Sequence, residues 1–271
     1  MRGYFAFGLI ATAVACTKSD GGTNERFARE EVKLLVDTCA ADVAEIERGL
    51  PEGAKRLSSD NLATQSAKEI ATVRRQVLDL NSAKTVVFGI VNLDGQWIAT
   101  DAEKDPYAGH ALGQGTDRLL SGAKTQPVYG NLYPRERRGQ HESAYLAASA
   151  IRDTKGSING YFVTGLSLAE YAYRLQEALK NHWAVRARSA TKGNDILPVF
   201  YVVLATPTDL YPAPKVPTVN VDALKAEGIF GKAKTNSSGN LTITDRKFSY
   251  ATAMLPKLGD DVAITVLHSE P

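Results

Sequence analysis

The stretch AKTVVFGIVNLDGQWIATD, residues 83–101, contains two short apolar runs joined by Asp94 and Gly95. The first run is rich in β-branched residues, and the second begins at Trp97. Asp-Gly between two such runs is a strong signal for a β-hairpin, because a tight primed turn needs positive φ angles that Gly adopts without steric cost. The stretch therefore predicts a hairpin, and we expect an antiparallel sheet to grow from it.

Segments downstream of this hairpin have the composition and length of further strands. Three of them are apolar or small-residue runs bounded by turn-forming residues, at positions 128–133, 142–152 and 157–164. An amphipathic helix is predicted at residues 168–181, where apolar residues recur at spacings of three and four. This mixture of strands and helices favours an α+β fold.

A second, shorter round of strand signals follows. Residues 199–204 are similar to residues 87–91, and residues 250–255 are similar to residues 145–150, with one further strand signal near the C-terminus. Two matches at similar offsets predict a second, smaller unit of the same kind. The proline-rich segment between them, residues 209–219, is expected to be extended and outside any sheet interior.

The region before the hairpin has helical periodicity. Apolar side chains recur at helical spacing over residues 32–50, and again over residues 70–80. Pro51 and Gly53 interrupt the pattern, and Ser59 or Asp60 has the right chemistry to cap a second helix. We expect two helices, or one kinked helix, that pack a single apolar stripe on the sheet. A coiled coil with a partner is the alternative.

The N-terminus has the features of an export signal. Arg2 precedes a short apolar segment that is too short to span a bilayer. The sequence Ala13-Val14-Ala15-Cys16 resembles the lipobox of bacterial lipoproteins, in which the cysteine becomes the lipid-bearing N-terminus. A plain signal peptide cut near Ala15 is the alternative.

The predicted organisation therefore has five parts: a signal peptide at 1–15, a tether at 16–24, a helical arm at 25–82, a first sheet unit at 83–190 and a second unit at 191–271. A lipid on Cys16 would hold the protein on a membrane facing the periplasm without crossing it. Thr17 after the cysteine favours the outer membrane under the common sorting rule.

Composition excludes several classes of function. The formal charge of the 271 residues is +2, so no basic field favours nucleic acid. The four histidines are scattered and predict no metal site, and none of the familiar catalytic or cofactor motifs occurs. No catalytic residue and no cofactor is predicted. Cys39 lies on an apolar helical face and is interpreted as a small core residue.

The segment AASAIRDTKGSINGYFVTGLSLAEY, residues 147–171, follows the helical arm, the hairpin and a Gly-rich loop. This order resembles the Cache family, the extracytoplasmic PAS-like sensor domains of bacterial receptors. The resemblance implies long helices packed on PAS-like antiparallel sheets, and two tandem units would make the chain similar to a double Cache module. It also implies a small-molecule ligand on the sheet of the first unit.

The resemblance also predicts something about ligand chemistry. In the amino-acid-binding members, an Asp just before the Ile-Ser-Leu entry to the helix holds the ligand amine, and Gly165 of the sequence Thr-Gly-Leu-Ser-Leu occupies that position here. This departure argues against an α-amino ligand held in the usual way. Most relatives continue into a membrane helix and a signalling domain, so we expect any signal to pass through a separate partner in the envelope.

The residues chosen as candidate ligand contacts are aromatic or charged and fall on or beside the predicted strands: Asp101, Tyr107, Tyr129, Tyr133, Arg135 and Tyr145. Tyrosine offers a rigid apolar body with one polar tip, and Arg135 has the chemistry to clamp a carboxylate. The alternative is that the tyrosines are ordinary sheet residues and that Arg135 is solvated.

Three functions remain open from the sequence. The first is a lipid-anchored module that binds or senses a small molecule, such as a carboxylate. The second is an envelope interaction protein without a ligand, which would use residues 32–50 and 209–219 as surfaces. The third is a hydrolase of envelope material.

Overall fold

The computed structural model describes residues 21–83, 87–102, 107–112, 116–123, 128–132, 136–137, 140–141, 144–189 and 198–269. Its helices are α1 (Gly21–Arg56), α2 (Ala67–Gln76), α3 (Leu78–Ser82), α4 (Thr116–Gly122), α5 (Leu168–Ser189), α6 (Thr218–Ala226) and α7 (Ile229–Ala233). Its strands are β1 (Val87–Val91), β2 (Trp97–Thr100), β3 (Val128–Leu132), β4 (Glu136–Arg137), β5 (Gln140–His141), β6 (Ala144–Arg152), β7 (Ile158–Ser167), β8 (Val199–Ala205), β9 (Leu210–Pro212), β10 (Ser238–Ile243), β11 (Arg246–Met254) and β12 (Ala263–Ser269).

The strands form two five-stranded antiparallel sheets and one small hairpin of β4 and β5. The first sheet has the order β2-β1-β7-β6-β3, and the second has the order β9-β8-β12-β11-β10. When the five strands of each sheet are numbered along the chain, both sheets have the order 2-1-5-4-3. The α+β class is therefore confirmed, and the strands matched at the sequence level, β1 with β8 and β6 with β11, occupy equivalent places.

The predicted hairpin is present, but its turn is longer than expected. β1 and β2 pair antiparallel, with Val91 opposite Trp97. The Asn92 side-chain oxygen accepts hydrogen bonds from the backbone N–H groups of Asp94 and Gln96. Gly95 has a φ of 75°, whereas Asp94 is not in the left-handed region. A side-chain-supported turn therefore replaces the predicted two-residue primed turn.

α1 is one helix of 36 residues that continues through Pro51. Its predicted apolar stripe is buried: Val32, Leu35, Cys39, Val43, Ile46 and Leu50 are all at most 5% exposed. The helix contacts β6 of the first sheet and β11 and β12 of the second. The stripe is therefore filled by this chain's own sheets, and it is not a free surface for a coiled-coil or docking partner.

Pro51 and Gly53 were predicted to interrupt the helical pattern, but both residues lie inside α1. Gly53 is buried, and a Cβ built on it would lie 2.6 Å from Phe162 Cε1 and 2.9 Å from Leu80 Cδ1. Gly53 therefore allows β7 and α3 to approach the helix closely. Tertiary packing of this last part of α1 overrides the local cost of a proline.

The second predicted helix begins later than expected. Ser66 caps α2 with a capping box in which Glu69 bonds back to the Ser66 backbone. Asp60 instead accepts hydrogen bonds from the backbone N–H and the hydroxyl of Thr154 in the β6–β7 turn. The predicted cap residue therefore ties the helical arm to the first sheet.

The predicted boundary between the tether and the helical arm lies within the described residues, whereas two other predicted boundaries lie outside them. α1 begins at Gly21, so the last residues of the predicted tether are helical. Cys16 and the predicted signal peptide lie outside the described residues, as does the proposed division at residues 190–191. No helix in the described ranges is long and apolar enough to cross a bilayer.

The second sheet carries helices that the sequence did not reveal. α6 and α7 pack beside β10 and β11, and Leu224, Ile229 and Ala233 are fully or almost fully buried there. The proline-rich segment forms β9 at the edge of the sheet and then enters α6. Its position at an edge agrees with the prediction that it lies outside a sheet interior.

Candidate functional site

The first sheet has two differently packed faces. Its inner face, which includes Phe88, Ile90 and Phe162, joins the core cluster around α1 and α5. Its outer face forms a separate buried cluster that residues from the β2–β3 connection and α4 cover. We define the outer-face cluster as these buried residues: Val87, Val91, Trp97, Tyr107, Leu112, Leu119, Leu120, Ala123, Leu146, Ala148, Tyr161 and Val163.

A row of paired residues crosses this outer face. Val91 of β1 pairs with Trp97 of β2 on one side and with Tyr161 of β7 on the other. Directly paired residues in antiparallel strands lie on the same face of the sheet. The register therefore places one indole and one phenol on the same surface, with a small aliphatic side chain between them.

The Trp97 ring approaches β1 closely because Gly89 lacks a side chain. A Cβ built on Gly89 would be 2.5 Å from Trp97 Cζ3. The Trp97 ring is 2% exposed, and its centroid is 5.5 Å from that of Tyr107. The indole N–H of Trp97 has no hydrogen-bond partner among the residues that the structure describes. A buried donor without a partner costs about 1–3 kcal/mol.

Tyr161 is a second buried polar group on the outer face. It is 2% exposed, and burial raises the pKa of its hydroxyl above the ordinary value. The phenol therefore stays protonated at neutral pH and can donate a hydrogen bond. Together, Trp97 and Tyr161 offer donors within an otherwise apolar and aromatic surface, which is the usual chemistry of a small-molecule pocket.

The position that the family comparison singled out also lies on this face. Gly165 pairs with Val87 and with Leu146, both members of the outer-face cluster. A Cβ on Gly165 would be 3.1 Å from Val87 Cγ1 and 3.2 Å from Leu146 Cδ2. The outer face therefore has no carboxylate at the point where the amino-acid-binding members place one.

Asp101 has a structural role, because its carboxylate holds neighbouring elements together. Its carboxylate accepts a hydrogen bond from the Phe88 backbone N–H at 3.0 Å and forms an ion pair with Arg74 at 2.7 Å. The Arg74 guanidinium also lies 4.7 Å from the Phe88 ring centroid. These contacts fix β2 to β1 and to α2, and both carboxylate oxygens take part in them.

The two described candidate tyrosines lie on opposite faces of the first sheet. Tyr107 belongs to the outer-face cluster, whereas Tyr145 belongs to the inner cluster with α1. The Tyr145 hydroxyl lies 3.6 Å from a Cβ built on Gly259 in the β11–β12 connection. Tyr145 therefore connects the first sheet to the second, and it cannot line one pocket with Tyr107.

The structure does not describe the side chains of the remaining three candidates. Tyr129 lies in β3, where its backbone pairs with Ala147. Tyr133 and Arg135 lie outside the described residues. Sequence reasoning did not choose Trp97 or Tyr161 as a candidate. The available signal was that Trp97 directly follows the turn and that Tyr161 lies in the returning strand, but only the register shows that they share a face.

No family model matches this sequence, and no curated protein matches it. Solved structures do match its fold. The extracellular ligand binding receptor from Desulfohalobium retbaense DSM5692 aligns with a TM-score of 0.56 and 10% identity, over 90% of this chain and 40% of that one. This chain therefore spans less than half of that receptor.

Two chemoreceptor domains align over nearly their whole length. The ligand binding domain of the Pseudomonas aeruginosa PAO1 amino acid chemoreceptor PctB, in complex with L-Arg, has a TM-score of 0.52, 12% identity and coverage of 91% of this chain and 95% of that one. The ligand-binding domain of the Campylobacter jejuni chemoreceptor Tlp3, in complex with 4-methylisoleucine, has a TM-score of 0.52, 12% identity and coverage of 93% and 94%. The chain thus has the Cache-type, PAS-like fold of extracellular sensor domains, as predicted.

Proposed function

We propose that this chain is a lipid-anchored, extracytoplasmic protein that binds a small molecule on the outer face of its first sheet. The observation that carries the proposal is the buried indole N–H of Trp97, which has no partner within the described residues and lies in an aromatic cluster. The fold, which is that of ligand-binding sensor domains, supports the same face, because the position of Gly165 lies on it.

The donors on the outer face favour a ligand with hydrogen-bond acceptors. The Trp97 indole can only donate, and the Tyr161 phenol is protonated at neutral pH. Gly165 supplies no negative charge to hold an amine. We therefore propose a carboxylate or another acceptor-bearing ligand, and Tyr133 and Arg135 remain proposed contacts on the basis of their side-chain chemistry alone.

The test is a thermal-shift screen of small carboxylates, amines and purines on the mature chain with Cys16→Ser. A ligand at 100 times its Kd adds about 2.7 kcal/mol to the free energy of unfolding. For a chain of this size that corresponds to a rise in Tm of roughly 5–10 °C. The proposal fails if no acceptor-bearing compound raises the Tm.

Trp97→Phe localises the binding. Phenylalanine keeps an aromatic ring on β2 but removes the N–H donor, so the affinity for the ligand should fall about tenfold. Trp183→Phe on α5 is the matched control, since it removes the other tryptophan of the chain from a different part of the fold. Equal effects of both variants would contradict a site on the outer face.

We further propose that the mature protein carries lipid on Cys16, faces the periplasm and is held on the outer membrane. The basis is the lipobox-like sequence before Cys16. Mass spectrometry of the mature N-terminus should find a lipid-modified cysteine, and Cys16→Ser should release the protein from the membrane fraction. An unmodified terminus would contradict this part of the proposal and leave the ligand proposal unaffected. We also propose a separate envelope protein as the partner that receives a signal from this domain.

A further inference from the structure

A cavity lies between the N-terminal part of α1 and the C-terminal part of α5, away from the outer-face cluster. Its volume is about 240 Å³, and its lining includes Phe27, Glu30, Glu31, Trp183 and Arg186. Cavities for drug-sized ligands have volumes of about 300–1,000 Å³. This one therefore suits a ligand of only a few heavy atoms.

Glu31 is the unusual residue of this cavity. It is 3% exposed, its Oε1 accepts a hydrogen bond from the Trp183 indole N–H at 2.7 Å, and the same atom is 2.8 Å from His268 Nδ1. Its Oε2 is buried and has no hydrogen-bond partner within the described part of the chain. A buried carboxylate oxygen without a hydrogen-bond donor raises the free energy of the folded state, because burial removes its hydrating water and no hydrogen bond replaces it.

The aromatic rings that line the rest of the cavity are suited to contact with a cation. The rings of Phe27 and Trp183 meet edge to face, with centroids 5.6 Å apart. The exposed guanidinium of Arg186 lies 5.7 Å from the Phe27 centroid and 5.0 Å from the Trp183 centroid. Aromatic faces attract cations, and the Arg186 guanidinium already lies over the rings of Phe27 and Trp183.

We propose that this cavity binds a small organic ammonium ion that carries at least one N–H donor. The N–H would reach Glu31 Oε2 as Arg186 swings away, and the alkyl part would lie on Phe27 and Trp183. The missing donor at Glu31 Oε2 and the two aromatic rings, which already hold a guanidinium, favour a cation with an N–H over a neutral or anionic compound. The site is independent of the proposed ligand on the first sheet, because none of these residues belongs to the outer-face cluster.

Isothermal titration of the full mature chain with n-butylammonium tests the proposal. Tetramethylammonium has the same charge without an N–H, while n-butanol and butyrate keep the alkyl chain without the positive charge. We expect saturable binding of n-butylammonium and at least tenfold weaker binding of the other three. Absence of n-butylammonium binding, or equal binding of tetramethylammonium, would overturn the proposal.

Glu31→Gln should weaken n-butylammonium binding at least tenfold. Asp37→Asn is the matched control, since Asp37 is an exposed acidic residue of the same helix, pairs with Lys33 and does not line the cavity. Its change should alter the affinity less than twofold. Trp97→Phe should leave this affinity unchanged, which separates the cavity from the site on the first sheet. Loss of binding in Trp97→Phe, or none in Glu31→Gln, would contradict the assignment.

Arg186→Gln provides a test that does not depend on altering a buried residue. Removing this exposed guanidinium takes away a like charge and frees the two aromatic faces, so the affinity for n-butylammonium should rise about threefold or more. An unchanged or weaker affinity would show that Arg186 does not compete for the cavity. Circular dichroism of each variant confirms that the fold is retained.

Discussion

Gly89 determines how closely Trp97 lies to β1. A Cβ at this position would be 2.5 Å from Trp97 Cζ3 and 2.7 Å from the Ala99 backbone oxygen. Because a backbone atom cannot move aside easily, Gly89→Ala should lower the free energy of unfolding by about 1–3 kcal/mol. Urea denaturation measures this change.

Gly231→Ala is the matched control for Gly89→Ala. Gly231 lies in α7, and a Cβ there would meet no atom within 4 Å. Alanine is a better helix former than glycine, so this substitution should raise the free energy of unfolding by up to about 1 kcal/mol. The same sign for both variants would contradict the close packing of Trp97 on β1.

Cys39 provides a pH-dependent prediction at the scale of one residue. Burial raises the pKa of its thiol from an ordinary 9.0 to about 12. The unfolded chain therefore loses this proton from about pH 9, whereas the folded chain keeps it until about pH 12. The stabilisation is complete below pH 9 and is lost as the pH rises through this window, by up to about 1.4 kcal/mol per pH unit.

Comparison with Cys39→Ala isolates this effect from other groups that titrate at high pH. The difference in free energy of unfolding between the unsubstituted chain and Cys39→Ala, measured by urea denaturation, should be constant below pH 9 and should shrink above it. A constant difference up to about pH 10.5 would mean that the thiol is not shielded as the structure indicates.

The β10–β11 turn yields a prediction at the scale of an element. The turn consists of Thr244 and Asp245, with φ angles of 48° and 62°, between the paired residues Ile243 and Arg246. Two-residue turns with positive φ at both positions favour Asn-Gly, and a β-branched threonine is strained there. Replacing both residues, by Thr244→Asn and Asp245→Gly, should raise the free energy of unfolding by about 1 kcal/mol.

The opposite sign is expected when both turn residues become alanine. Alanine tolerates the left-handed region poorly and lacks the short polar side chain that helps Asp there. This double variant should lower the urea midpoint, whereas the Asn-Gly variant should raise it. If both variants move the midpoint in the same direction, the turn does not have the geometry described here.

Local patterns predicted some elements well and others not at all. The apolar stripe of α1 follows the helical period, so residues 32–50 were interpreted correctly as buried. The predicted interruption at Pro51 and Gly53 is absent from α1, because contacts with Phe162 and Leu80 outweigh the local effect of these residues on a helix. Phe162 and Leu80 are distant in sequence, so a local pattern does not reveal them. α7 and β10 were missed because they are short and partly polar, and they are stabilised by packing on β11.

At the scale of the whole molecule, the sequence predicted the type of architecture but not which side chains share one face of a sheet. Two pairs of similar segments predicted a second unit of the same kind, whereas the order of the strands in each sheet was not predicted. Which side chains meet on one face depends on register, and a shift of one residue moves a side chain to the other face. For this reason Tyr107 and Tyr145 were grouped together although a sheet separates them, and Trp97 and Tyr161 were not recognised as sharing one face.

One core joins the two sheets. The cluster around α1 includes Phe88 and Ile90 of the first sheet together with Val202 and Ile264 of the second. A contiguous core without an internal boundary favours cooperative unfolding. We therefore expect both sheets to unfold in a single transition.

The two tryptophans of the chain make this expectation measurable. Trp97 lies in the first sheet, and Trp183 contacts Glu31 beside the second. In Trp183→Phe the fluorescence reports the first sheet, and in Trp97→Phe it reports the junction of α1 with β12. Within each variant, the urea midpoint from fluorescence should equal that from far-UV circular dichroism. Adding Leu35→Ala to each variant should lower the free energy of unfolding by about 2–5 kcal/mol. The midpoints from fluorescence and from circular dichroism should fall together. Midpoints that separate, or a Leu35→Ala effect confined to one tryptophan, would show that the sheets unfold independently and that α1 does not couple them.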